Sequence, residues 1–214
     1  MFDKNKLIVY AITDESLSEN ELYSKSEDVL KSGIKCLQFR DKKLSQDDFL
    51  KRAIVLRNLC KKYNAMFIIN DRVEIAIECK ADGIHVGQKD MEAKTVRNMI
   101  KKSMILGVSC ENLEQAILAK QVGADYLGIG AIFNTNSKRD ASSVSLEVLT
   151  KICEKVDIPI VAIGGINEKN MVLLKNIKLA GFAMIHTIFS ANDIKIQCQK
   201  LLLIAKKTLG VDNI

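Results

Sequence analysis

The feature that most narrows what this chain can fold into is a phrase repeated eight times from end to end: a short apolar run, a polar turn, an amphipathic stretch and a stop. It opens with an apolar run over 7–13 that halts at Asp14, then a helix-compatible stretch over 19–31 closed by Gly33. The same reading predicts strands over 36–40, 66–70, 83–86, 104–109, 126–130, 160–163 and 182–186. Helices are predicted to follow them over 45–62, 73–79, 92–101, 113–122, 146–154, 168–176 and 194–206. The strand runs are apolar nearly throughout, as expected of a parallel sheet covered by helices on its outer face. Eight units in 214 residues leave about 27 residues each, close to the ~30 of one βαβ phrase. The reading is an α/β chain folded as a single-domain (β/α)8 TIM barrel over residues 1–214, in preference to a doubly wound sheet.

In a barrel the chemistry gathers at the C-terminal ends of the strands. Gln38, Arg40, Asn70, Asp71, Ser109 and His186 all end apolar runs. Alternate residues of an extended segment share a face, so Gln38, Arg40 and, if extension continues, Lys42 would present an amide and two cations to an anion. Asp71 and Asp90 follow adjacent strands, where two carboxylates can share a hard cation such as Mg2+ with phosphate oxygens and water. The plainer reading, each aspartate capping the helix that follows it, stays open.

Ser109 has no histidine or acid at an informative spacing and reads as a group that holds a ligand, not one that attacks it. His85, inside a strand, reads as a hydrogen-bonded barrel histidine. The polar loop 134–143, with Lys138 singled out, suits a lid over phosphate groups, an ordinary solvated loop being the alternative. Gly164 and Gly165, after the seventh strand, sit where barrels commonly hold a phosphate.

Composition sets the class of partner. With 32 basic and 26 acidic residues the net charge of +6 is spread along the chain, with no basic tail and no interleaved aromatics, which favours small phosphorylated molecules over nucleic acid. The six cysteines form no C-x-x-C pair and read as buried thiols of a reducing, cytoplasmic protein. No apolar run approaches the length of a membrane span, so no membrane partner is expected, and a homo-oligomer is left open.

Several of these pieces together resemble one family, thiamine phosphate synthase. They are Gln38-Phe39-Arg40-Asp41-Lys42, Asn70-Asp71, Gly83-Ile84-His85-Val86-Gly87-Gln88 with Asp90, Gly107-Val108-Ser109, Gly123-Ala124-Asp125-Tyr126, Gly128-Ile129-Gly130 and Ile163-Gly164-Gly165-Ile166, in family order across nearly the whole chain. The resemblance implies a transferase that condenses a pyrimidine methyl diphosphate with a thiazole phosphate, releasing diphosphate and thiamine phosphate. It implies that Gln38, Phe39, Arg40, Asp41, Lys42, Asn70, Ser109 and Lys138 bind the pyrimidine diphosphate, with Arg40, Lys42, Ser109 and Lys138 catalytic. It implies that Thr135, Asn136, Ser137, Gly165, Ile185 and His186 bind the thiazole phosphate, and that Asp71 and Asp90 bind magnesium. This chain departs from the family at Asn134-Thr135-Asn136-Ser137-Lys138, usually Pro-Thr-x-Thr-Lys, and at His186-Thr187, usually Ser-Ala. A thiazole tautomerase of the same barrel type, or a barrel that binds thiamine phosphate without turnover, would be the alternatives.

Overall fold

A computed structural model describes residues 2–134 and 143–211. Eight parallel strands close into a barrel in sequence order: β1 Val9–Ile12, β2 Cys36–Phe39, β3 Met66–Asn70, β4 Gly83–Val86, β5 Ile105–Cys110, β6 Tyr126–Ile129, β7 Ile160–Ile163 and β8 Gly181–Met184. The helices are α1 Glu19–Lys31, α2 Gln46–Lys62, α3 Val73–Glu78, α4 Ala93–Ile100, α5 Leu113–Gln121, α6 Leu146–Lys155, α7 His186–Phe189 and α8 Ile194–Leu209.

Strand alternation divides the core into two layers. Ile12, Met66, Ile68, Val161 and Ala183 point inward with Tyr10 and Tyr126. Leu37, Phe39, Phe67, Ile69, Leu127 and Phe182 point outward against the helices. Several helices begin on a side chain that takes up an otherwise unmet N–H, among them Ser18 in a capping box with Glu21, Ser45, Asn112, Ser145 and Asp193. At the N-terminal end of the barrel Phe2 stacks on Tyr126, with ring centroids 6.2 Å apart.

The predicted helix over 168–176 is not formed; the chain makes a single 3-10 turn, Met171–Leu174. Asn167 and Asn170 cap the start of this stretch reciprocally, Asn167 Oδ1 accepting from the Lys169 N–H (2.9 Å) and Asn170 Oδ1 from the Asn167 N–H (2.8 Å), but the turn then tightens, with the Leu173 and Lys175 N–H groups bonding back three residues to Asn170 and Val172, and the chain leaves it at Asn176 (φ +77°). The eighth strand also ends earlier than predicted. Ile185 turns the chain and His186 opens α7, while Thr187 Oγ1 donates to the Ile166 carbonyl at 2.6 Å.

Barrel closure between β8 and the first turn leaves no space at Gly181, where a Cβ would lie 1.7 Å from the Leu7 carbonyl oxygen. Because the obstruction is backbone, Gly181→Ala is expected to cost at least about 1–3 kcal/mol. Urea denaturation would check this through a lowered midpoint at constant m-value.

Candidate active site

The C-terminal ends of the strands surround a cavity of about 490 Å³, within the range of small-molecule sites. Gln38, Arg40, Lys42, Asn70, Asp71, Asp90, Ser109, Gly165, Ile185 and His186 all line it.

One rim is built by the loops after β1 to β4. Thr13 clasps the end of β2, its Oγ1 accepting from the Arg40 N–H (2.9 Å) and donating to the Arg40 carbonyl (3.1 Å). Arg40 Nη1 lies 3.1 Å from Glu15 Oε2, a carboxylate that also faces Lys43 at 3.7 Å. Lys42 Nζ bonds Asp71 Oδ2 and stands 3.7 Å from Asp90 Oδ1. Asp90 Oδ2 in turn accepts from the Gly87 N–H at 2.8 Å, fixing the loop after β4.

Asp71 sits at φ +62°, a left-handed conformation that asparagine and aspartate tolerate better than most residues. It does not cap α3, whose N-cap is Arg72, and Asp90 does not cap α4, whose N-cap is Glu92. Burial and the adjacent Asp90 push the Asp71 carboxyl up to about 6, against the pull of Lys42. Two hard oxygen donors that already share one cation, and repel each other without it, fit a magnesium ion. Among the described residues no cluster of three metal-ligating side chains exists, so phosphate oxygens and water would supply the remaining positions.

The opposite rim carries Gly164 (φ +99°) and Gly165 (φ +62°). Both are pressed by the loop after β6: a Cβ on Gly164 would meet Ala131 Cα at 2.6 Å, and one on Gly165 the Asn134 carbonyl oxygen at 2.3 Å. The glycines therefore serve loop packing as well as any ligand. His186 is half exposed beside them, with Nε2 3.2 Å from Asp14 Oδ2. Burial raises the Asp14 carboxyl, but hydrogen bonds from the Ser16 N–H (2.9 Å) and hydroxyl (2.7 Å), with His186 nearby, leave it below the usual range.

Two of the expected site residues in the 37–42 stretch, Phe39 and Asp41, are not brought to the cavity. Phe39 alternates outward and packs on Phe49, ring centroids 4.2 Å apart, so its side chain cannot touch a ligand in the mouth. Asp41 turns back on its own loop, accepting from the N–H groups of Lys43 (2.8 Å) and Leu44 (3.0 Å). Thr135, Asn136, Ser137 and Lys138 lie outside the described residues.

Ser109 does have a histidine partner, contrary to the sequence reading: His85 Nε2 lies 2.9 Å from its Oγ. The two are 24 residues apart and meet only because β4 and β5 are neighbours: His85 is in register with Gly107, which has no side chain, and Ser109 is the next inward position along β5. Glu15, Tyr10 and Tyr126, which also shape the site, gave no sequence signal beyond their place in or after strands.

A family model described as thiamine monophosphate synthase matches residues 9–188. A thiamine-phosphate synthase of Clostridioides difficile is 48% identical over 198 residues, 92% of this chain and 94% of that protein. One from Methanobrevibacter smithii is 42% identical over 196 residues, 92% and 94% of the two chains. Among solved structures, a thiamine phosphate pyrophosphorylase from Pyrococcus furiosus superposes with a TM-score of 0.88 at 35% identity, covering 97% of this chain and 99% of its own.

Proposed function

The chain belongs to the thiamine monophosphate synthase family and is a thiamine-phosphate synthase, a transferase of thiamine biosynthesis; from that premise we propose how its barrel mouth performs the condensation. The C–O bond between the pyrimidine methylene and its diphosphate breaks, and diphosphate leaves with the electron pair. The thiazole ring nitrogen donates its lone pair to the methylene carbon, and the positive charge ends on the thiazolium. No protein nucleophile and no net proton transfer are required.

The observation that carries this assignment of roles is the convergence of Arg40, Lys42, Asp71 and Asp90 on one rim of the cavity. Negative charge grows on the leaving oxygens, and preorganised cations aimed there lower the barrier. Arg40 and Lys42 supply two of them, Asn70 and Ser109 offer neutral hydrogen bonds, and Lys138 would add a third cation from the loop after β6. Gln38 and the inward-facing aromatic residues would hold the pyrimidine ring. Gly165, Ile185 and His186 would receive the thiazole phosphate, with Thr135 to Ser137. Asp71 and Asp90 would hold magnesium, which when bound neutralises charge on the departing diphosphate.

The retained cation and carboxylate set disfavours a merely binding barrel, and a tautomerase has no use for a diphosphate site. No helix among the described residues is long and apolar enough to cross a membrane. The six cysteines are free and buried, which supports a reducing, cytoplasmic setting. Mixing both substrates with magnesium should yield thiamine phosphate and diphosphate in equal amounts. Binding of both without product would leave only the non-catalytic reading.

The raised Asp71 carboxyl gives the reaction a signature in pH. A proton on Asp71 competes with a cation, so the acid limb of kcat/KM is expected near pH 6 at low magnesium. More magnesium favours the carboxylate and should move the limb to lower pH. An acid limb that stays fixed across magnesium concentrations would place its titration elsewhere.

A further inference from the structure

Beneath the cavity, five polar side chains from five strands make one continuous hydrogen-bonded chain through the barrel interior. Gln38 Nε2 donates to Tyr10 Oη (2.6 Å), and Tyr10 Oη meets Tyr126 Oη (2.8 Å). Tyr126 Oη meets His85 Nδ1 (3.0 Å), and His85 Nε2 meets Ser109 Oγ (2.9 Å). Gln38, Tyr10, Tyr126 and His85 are all buried. Burial raises both phenols well above their ordinary range, so each keeps its proton. The space is kept by Gly107, where a Cβ would stand 2.2 Å from Tyr126 Cζ and 2.4 Å from His85 Nδ1.

Such a chain has a direction, because each phenol has one proton to give. An amide nitrogen only donates, so Tyr10 Oη accepts from Gln38 and passes its own proton to Tyr126, a better acceptor than the neighbouring Cys36 sulfur. Tyr126 then donates to His85 Nδ1, which must be bare, and a neutral imidazole with a bare Nδ1 carries its proton on Nε2. That proton goes to Ser109 Oγ, which keeps its own hydrogen for the cavity. Reversing the Gln38 amide reverses every link, so that Ser109 spends its hydrogen on His85 and turns only lone pairs toward the mouth.

We propose that this chain is a positioning device: it holds His85 as the Nε2–H tautomer and so presents the Ser109 hydroxyl to the cavity as a hydrogen-bond donor for an anionic oxygen. On the synthase reading, on which this last identification rests, the oxygen belongs to diphosphate. His85 is here a positioning residue, acting through Ser109.

The chain has two histidines, so His186→Ser leaves His85 as its one imidazole for nitrogen-edited NMR at neutral pH. The expected spectrum shows a bare Nδ1 and a protonated Nε2; the reverse pattern overturns the proposal. Calorimetric binding of inorganic diphosphate provides the second reading. Tyr126→Phe removes the donor to Nδ1 and should weaken binding about fivefold, as should Ser109→Ala. The double variant should bind no worse than Ser109→Ala alone. Equal losses from Tyr126→Phe in the parent and in the Ser109→Ala background would mean that Tyr126 acts through packing, and the proposal fails. Absence of thiamine phosphate in the synthase assay would count against the reaction while leaving the tautomer test unaffected.

Discussion

Asp71→Asn is expected to lower turnover by about 10²–10³-fold while leaving the fold intact, comparable to the loss of one preorganised charge-stabilising group elsewhere. Asparagine is the substitution of choice because residue 71 sits at φ +62°, where an alanine would add backbone strain to the loss of charge. The change removes one of the two carboxylates that face Lys42. With only Asp90 left, a divalent cation held at this rim would lose one of the two carboxylates proposed to bind it. Steady-state rates across a magnesium titration, together with circular dichroism, separate the two effects. A variant with parental turnover, or a parent enzyme fully active in excess chelator, would remove magnesium from the account.

The second large effect is expected at Arg40. Arg40→Lys keeps the charge but exchanges a planar fork for a single ammonium, and the single-turnover rate should fall by about 10–100-fold. On the proposed function the fork would have two tasks. One nitrogen is held 3.1 Å from Glu15, which leaves its other N–H groups for the cavity that Arg40 lines. A lysine can serve Glu15 or a diphosphate oxygen but lacks the breadth to serve both in that geometry. A single-turnover rate equal to the parent's would make Arg40 a loop anchor with no part in departure of the leaving group.

The barrel was legible because each strand is buried on both faces, so every strand announces itself as an apolar run, and most exits are marked by a polar residue or a glycine. What failed was local. The stretch after β7 reads as a helix from its apolar spacing, and Asn167 and Asn170 do cap its start, but the turn tightens to 3-10 bonds and ends at Asn176, whose left-handed φ of +77° no periodicity announces. Phe39 and Asp41 fall among the expected site residues with their neighbours because a motif is contiguous in sequence. Strand alternation sends one of them outward, and the turn folds the other back. The cations and carboxylates around Lys42 were readable because each follows a strand end. The link from Ser109 to His85 and on to Tyr126 was not, because it depends on which inward positions meet across a closed barrel.

The interior chain also bears on how far this barrel can be divided. A cut between β4 and β5 would place Tyr10 and His85 in one half and Ser109 and Tyr126 in the other. It would sever the Tyr10–Tyr126, Tyr126–His85 and His85–Ser109 hydrogen bonds together. Any of these polar groups that stayed buried without its partner would cost about 1–3 kcal/mol, a large fraction of a small domain's stability. Eight similar units suggest a chain that could be shortened, duplicated or reassembled from halves, but its polar centre is shared between the halves, so each would have to satisfy those groups with water or a new partner.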